Sequence, residues 1–310
     1  MGYLTLDGAP LEKMSDAAIT LWLRQAVDGV MQLRKASARL WTGILRVLDR
    51  QGPPMTVRGI FYGVEILGLA PKSEEGYRRV AHAVLVMRRV GVLPYDYIAD
   101  AARTRFKPRS YSGVSSFLRR SAEAYRRALW DAIPVYVEIW CEKDALRGVL
   151  LPVTDEWDVP LFPLHGFCSE THLFNAAQEI QAVGKPAYIY YFGDLDPSGW
   201  LISQHAEQKL REFGVRNLHF ERLAVQPWQV DEWQLPTRPP KPGDTRARGW
   251  PYPCVEVDAI PADHLRALCE RAIQQHISQH ELDVLLAVEE QERQILQRIA
   301  DEVKLWQVPV

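Results

Sequence analysis

One stretch, Lys185 to Trp200 (KPAYIYYFGDLDPSGW), constrains this chain more than any other. Its apolar, β-branched and aromatic run from Ala187 to Phe192 reads as a buried parallel strand. Gly193, Asp194, Leu195, Asp196, Pro197, Ser198 and Gly199 follow, and then a helical pattern resumes. Carboxylates at the C-terminal end of such a strand point into the crevice where open α/β sheets bind ligands. Asp194 and Asp196 lie two apart on extended chain, so both side chains leave one face and can converge on one hard cation. They are the candidate metal site.

A chain of 310 residues has room for two domains or one large one. Its hydrophobic content of 47% and charged content of 25% are those of an ordinary globular protein. Cys141, Cys168, Cys254 and Cys269 show no CxxC spacing and no histidine at zinc-ligand distance. They are expected to be reduced core thiols in a cytoplasmic protein. No apolar run is long enough to span a bilayer, and the start, MGYLTLDGAPLEK, lacks the pattern of a signal peptide. Charge is uneven along the chain. Residues 1–130 hold 21 Lys and Arg against 11 Asp and Glu, a net of +10, and the remainder holds 16 against 28, a net of −12. A basic half joined to an acidic half suggests a polyanion held by one and a metal by the other.

Apolar residues at helical spacing predict one long or two shorter helices over Ser15 to Arg50, with Ser15 as cap, before Gln51–Pro54 breaks the pattern. Thr56 caps a helix to about Leu67, and Ser73 caps a second to about Val90, where Gly91 ends it. Arg78, Arg79, Arg88 and Arg89 lie on this second helix, and VLPYDYIAD follows as a strand. Two short helices and a strand suit a winged-helix module with a recognition helix. Arg103, Arg105, Lys107 and Arg109, interleaved with Phe106 and Tyr111, extend the basic track and favour contact with DNA. A helix from Ser115 to Ala132 leads to a strand at Val135 to Cys141, which closes on Glu142. Strand, helix, strand, helix then alternate to about Phe213, which predicts an α/β fold with a mostly parallel sheet. Gln234 to Tyr252 reads as a loop near the site, a strand sits around Cys254 to Val257, and two helices, Ala262 to Ile277 and Glu281 to Trp306, finish the chain. His276 and His280, four apart, have the spacing of a metal pair on a helix but lack a third ligand.

Glu142, Asp194 and Asp196 close two strands of the same sheet, and three carboxylates there suit Mg²⁺, with Mn²⁺ as a substitute. Glu138, in mid-strand, is the poorer choice for the third ligand. A strand ending in Glu-Lys, followed by a strand ending in D-x-D-P-x-G, resembles the Toprim domain of topoisomerases, primases and related nucleases. More narrowly, EKDALRGVL and YIYYFGDLDPSGW look like the A subunit of topoisomerase VI and its relatives that make meiotic double-strand breaks, in a small bacterial or phage form. In that family a winged helix precedes Toprim and carries a tyrosine in a pattern close to T-x-R-x-[IL]-[FY]-Y, matched here by Thr56, Arg58, Ile60, Phe61 and Tyr62.

The resemblance implies N-terminal helices over 1–54, a winged helix over 55–132, a Toprim-like domain over 133–260 and C-terminal helices over 261–310. It makes Tyr62 the nucleophile on a DNA phosphodiester, Arg58 its phosphate-binding partner, and Glu142, Asp194 and Asp196 the metal ligands. It also implies a homodimer on double-stranded DNA whose tyrosine and metal site come from different protomers. The chain has no ATP-binding region of the GHKL kind, so strand passage would take a separate ATPase subunit. Two other readings stay open: a Toprim nuclease of the defence type that uses water, and a non-catalytic DNA-binding partner protein. IFYGVEILGL is also the composition of a core helix, in which Tyr62 would simply pack, and Asp194 and Asp196 have the residue type of helix caps.

Overall fold

Parallel strands need crossover connections, and the second half of the chain supplies one helix between each pair of strands. The computed structural model describes residues 2–99, 110–240 and 245–306. Strands β3 (Tyr136–Cys141), β4 (Leu161–Pro163), β5 (Ala187–Phe192) and β6 (Leu218–Ala224) form a four-stranded sheet in the order β4-β3-β5-β6, every pair parallel. The short hairpin of β1 (Thr5–Leu6) and β2 (Ala9–Pro10) stands apart near the N-terminus. The protein is therefore α/β, as the alternating pattern predicts. Cys141 pairs with Phe192, so Glu142 and Gly193 leave the sheet side by side.

Helices α6 (Asp144–Glu156), α7 (Glu170–Val183) and α8 (Pro197–Glu212) connect the strands. On one face, Trp140, Ile189 and Tyr191 pack against Leu173 and Ala177 of α7 and Ile202 and Leu210 of α8. On the other, Ile139, Cys141 and Phe192 belong to a core that continues into the N-terminal helices. Those are α1 (Asp16–Ala26), α2 (Lys35–Gln51), α3 (Val57–Ile66) and α4 (Glu74–Arg89). Ser15, Thr56 and Ser73 cap α1, α3 and α4 by accepting backbone N–H groups, which satisfies donors that a helix start leaves orphaned. Most of α2 is buried, from Ala38 to Asp49, and it forms the centre of this half.

After α4 the predicted strand is a 3₁₀ turn at Tyr95–Tyr97, with a single parallel bridge between Met55 and Ile98. Pro94 explains the difference: it has no N–H for a ladder and its carbonyl starts the turn. Helix α5 (Val114–Ala124) ends well before Ala132 and packs along the terminal helix α11 (Gln279–Trp306). The expected strand at Cys254 to Val257 is reduced to two antiparallel bridges, Leu195 with Val255 and Arg238 with Cys254. The short helix α9 (Pro227–Glu232) precedes that loop, and α10 (Ala262–Gln274) packs on α6. His276 follows α10 and His280 lies in α11, so the two do not share a helix, and the His276 ring meets the Tyr190 hydroxyl at 2.8 Å. All four cysteines are free thiols.

Candidate active site

The β5–α8 turn is built by close approach. A Cβ on Gly193 would lie 2.7 Å from the Glu142 carboxylate, and one on Gly199 would lie 2.9 Å from it, so both glycines make room for that side chain. The turn is braced from behind by Arg222 of β6, which is 9% exposed. Its guanidinium donates to the carbonyls of Gly193 (2.9 Å), Asp194 (3.0 Å) and Gly199 (2.6 Å) and stacks between Tyr191 and Trp200. Burial lowers the pKa of Arg222, with the nearby Tyr191, Glu142 and Asp194 opposing that shift.

Glu142 and Asp194 meet at the sheet's end. The Glu142 carboxylate accepts the Asp194 N–H at 2.9 Å and the Tyr191 hydroxyl at 3.4 Å. Burial, and then the Asp194 charge, push Glu142 up to about 7. Burial also raises the pKa of Asp194, which is 7% exposed, against the opposing pull of Lys143. Asp194 Oδ1 accepts the Val257 N–H at 2.9 Å and pairs with Lys143 Nζ at 2.8 Å.

Asp196 lines the same cleft with a different set of partners. Pro197 opens α8 at its first position, which makes Asp196 the N-cap: Oδ1 accepts the Gly199 N–H at 2.8 Å, and Oδ2 pairs with Arg238 at 3.2 Å. Extended backbone at Asp194 and Asp196 put both carboxylates on one face in the sequence reading. In the structure Leu195 is held in its bridge to Val255, and the two flanking carboxylates find separate partners. Glu138 is no substitute, because it accepts from the Tyr136 hydroxyl and the Trp140 indole in mid-strand, within the sheet's buried face.

Two carboxylates that the sequence reading missed complete the cluster. Glu256 and Asp258 arrive on the segment that bridges to Leu195, and Lys143 Nζ lies 3.6 Å from Glu256 and 3.1 Å from Asp258. Burial works against the Lys143 charge, but Asp258, Asp194 and Glu256 outweigh it and its pKa is raised. Asp258 Oδ1 in turn accepts the Thr56 hydroxyl at 2.8 Å, and Arg58 pairs with Glu256 at 3.0 Å. The start of α3 is thereby tied to the strand ends. The alternation V-E-V-D before a helix was the available signal, but nothing in the sequence says which strand end it meets.

Arg58 lies over the Tyr77 ring at 4.7 Å, and its charge acts on the Tyr62 phenol. Tyr62 itself is only 8% exposed. Burial pushes the phenol up to about 12, with Glu256 adding to the shift and Arg58 and Lys143 opposing it. A cleft of about 580 Å³ opens over these groups, lined among others by Arg58, Arg88, Glu142, Asp194, Arg238 and Glu256, and Tyr62 is not on its wall. A larger cavity, about 1300 Å³, lies among α1, α2 and α3 and holds none of the predicted site residues.

The arginines of α4 point in different directions. Arg78 and Arg89 are eleven residues apart, close to three full turns, and share an exposed face with His82. Arg79 turns toward the Leu69 carbonyl, and Arg88 faces the cleft and stacks on Tyr95 at 4.3 Å. Arg103, Arg105, Lys107 and Arg109 lie outside the described residues.

Among the described residues no group of three His, Cys, Asp or Glu side chains has the arrangement of a metal site. Glu142 and Asp194 nevertheless fit a divalent cation, since they are hard oxygen donors brought together at one strand edge. Asp196 lines the same cleft, where the helix start and Arg238 engage its carboxylate. No family model matches the chain, and no curated protein matches it.

Proposed function

We propose that the protein is a Toprim-type, metal-dependent DNA-cleaving enzyme that uses water as its nucleophile. The observation that carries this reading is the Glu142–Asp194 pair at adjacent parallel strand ends, opening into a cleft whose wall also holds Arg58, Arg88 and Arg238. Glu142 and Asp194 would hold Mg²⁺ or Mn²⁺, which supplies charge neutralisation on the phosphate and a more acidic water. Arg58, Arg88 and Arg238 bind phosphate oxygens of double-stranded DNA. Arg222 fixes the turn that carries Asp194. A P–O bond forms to the water oxygen, which gives up a proton to solvent, as the P–O bond to the leaving sugar oxygen breaks and that oxygen takes up a proton from solvent. Burial and the Asp194 charge push Glu142 up to about 7, so a cation that binds there competes with its proton.

The winged-helix and Toprim assignments, the four-part domain division and a cytoplasmic location belong to the same proposal, whereas the homodimer and the separate ATPase belong to the topoisomerase-like alternative. No helix among the described residues is long and apolar enough to cross a membrane. A second reading, transesterification by Tyr62 in the manner of the topoisomerase VI A subunit, is favoured by the Arg58 charge acting on the Tyr62 phenol. Its cost is the burial of the phenol, which must reach the cleft and lose a proton held at about 12.

Incubation with supercoiled plasmid and Mg²⁺ or Mn²⁺, quenched with detergent, separates the readings. Free DNA ends that persist in Tyr62→Phe and fall at least about a hundredfold in Asp194→Asn are expected. Protein-linked 5′ ends that vanish in Tyr62→Phe would establish the transesterase instead. Wild-type protein that cuts nothing in either cation, alone or as a dimer, would remove both.

A further inference from the structure

We infer that Lys143 is a positioning residue that occupies the cation position of the cleft until a divalent metal arrives, and then gives up Asp194 to it. The inference rests on the metal reading above and goes beyond it by naming the group that the metal must displace.

Geometry carries the case. Lys143 is the residue after the candidate ligand Glu142, at the start of α6, and its ammonium reaches three carboxylates from two distant segments: Asp194 at 2.8 Å, Asp258 at 3.1 Å and Glu256 at 3.6 Å. Asp194 Oδ1 accepts the Val257 N–H and pairs with the ammonium as well, so the lysine's charge lies against the carboxylate that a metal would bind. Glu142, one residue away, is not among the partners of Lys143 and faces the Asp194 N–H instead. The strand-end pair is therefore unevenly neutralised: Asp194 has a direct ion pair, whereas Lys143 and Arg222 act on Glu142 without one and do not offset its burial and the Asp194 charge.

The Lys143 side chain is 29% exposed, so it is a tether at the edge of the cleft rather than a sealed core group. Asp258 and Glu256 provide it with somewhere to go. Asp258 is fixed by the Thr56 hydroxyl at 2.8 Å and is 4% exposed, so it keeps the ammonium close after Asp194 is released. A metal that takes Glu142 and Asp194 thus shifts the lysine toward Asp258 without leaving any carboxylate unpaired. Two charges competing for one carboxylate impose a coupling, commonly about 5- to 150-fold in affinity.

The test is direct Mn²⁺ binding, followed by the electron paramagnetic resonance signal of the free ion, in the full-length chain without DNA. Lys143→Met removes the competitor and is expected to bind Mn²⁺ on the order of tenfold more tightly than wild type. Lys143→Arg, which keeps the charge, stays near wild type. Because Lys143→Met leaves buried carboxylates uncompensated, the double variant Lys143→Met/Asp258→Asn provides a charge-matched form that keeps Glu142 and Asp194, and it too should bind more tightly. Equal or weaker Mn²⁺ binding in the double variant would show that Lys143 is structural and overturn the inference. Absence of Mn²⁺ binding in all forms, wild type included, would overturn it together with the metal reading. Wild-type binding that Asp194→Asn leaves unchanged would place the ion elsewhere and overturn it as well.

Discussion

Two regions contribute polar groups to the cleft, and they are held in different ways. The strand-end turn is over-determined: Glu142, Asp194 and Asp196 each have a backbone partner, and Arg222 grips three carbonyls of the same turn. The helical side depends on long side chains. Arg58 reaches Glu256 and Tyr62 from the first turn of α3, and Arg88 reaches the cleft from the last turn of α4. The first region fixes charge in place, and the second brings charge to a ligand. A catalytic pair belongs on the first kind of support, because reacting groups need positions fixed to a fraction of an ångström. Phosphate contacts tolerate the second.

Removing the brace should break the first region outright. Arg222→Leu removes the guanidinium from the Gly193, Asp194 and Gly199 carbonyls, of which Gly193 keeps the Val225 N–H. An unsatisfied buried group costs roughly 1–3 kcal/mol, so a loss of about 3 kcal/mol or more in denaturant unfolding is expected, together with loss of DNA cleavage. A loss below about 0.5 kcal/mol would mean that the turn is self-supporting.

How far this contrast was legible in the sequence follows from the range of each contact. The strand Ala187–Phe192 and the helices capped by Thr56 and Ser73 are local patterns, and the structure reproduces them. Glu142 beside Asp194 was also legible, because two strand ends in one parallel sheet must come level. The convergence of Glu256 and Asp258 was not, since it depends on the bridge between Leu195 and Val255, sixty residues apart in sequence. Pro197 was a readable sign that Asp196 caps a helix. Helical period relates the arginines of α4 to one another, but the buried positions Val80, Val84 and Met87 decide which of them meets the cleft. Burial of Tyr62 is likewise a property of packing, from an aromatic in an apolar run that sequence alone leaves ambiguous.

A smaller effect sharpens the contrast through pH. Glu142 is raised in the folded protein to about 7, above the ordinary carboxylate value near about 4.3. The native state therefore binds the extra proton between those values, and the stability it contributes is full at lower pH and is lost as pH rises toward 7. In the presence of a chelator, unfolding free energy should fall by about 1–3 kcal/mol from pH 5 to pH 8 through this group. Glu142→Gln removes that dependence, and saturating Mn²⁺ reduces it in wild type, because a bound cation displaces the proton. An unchanged pH slope in Glu142→Gln would assign the dependence to other groups.

The smallest effect separates neighbours on the helical side. Arg88 and Arg89 are adjacent in sequence but about 100° apart around α4. Arg88 faces the cleft, and its Nε is buried with no hydrogen-bond partner among the described residues, whereas Arg89 is exposed on the face it shares with Arg78. If DNA enters along the cleft, Arg88→Ala should weaken binding about fivefold and reduce the dependence of log affinity on log salt by about 0.9, the value of one phosphate contact. Arg78→Ala and Arg89→Ala should each change affinity by less than about twofold, as screened charges away from the phosphate track do. Fluorescence anisotropy with a short duplex, repeated at several salt concentrations, measures both quantities. The opposite ranking would place the duplex along the outer face of α4, and the long side chains of the helical half would then hold DNA where the strand-end carboxylates do not face it.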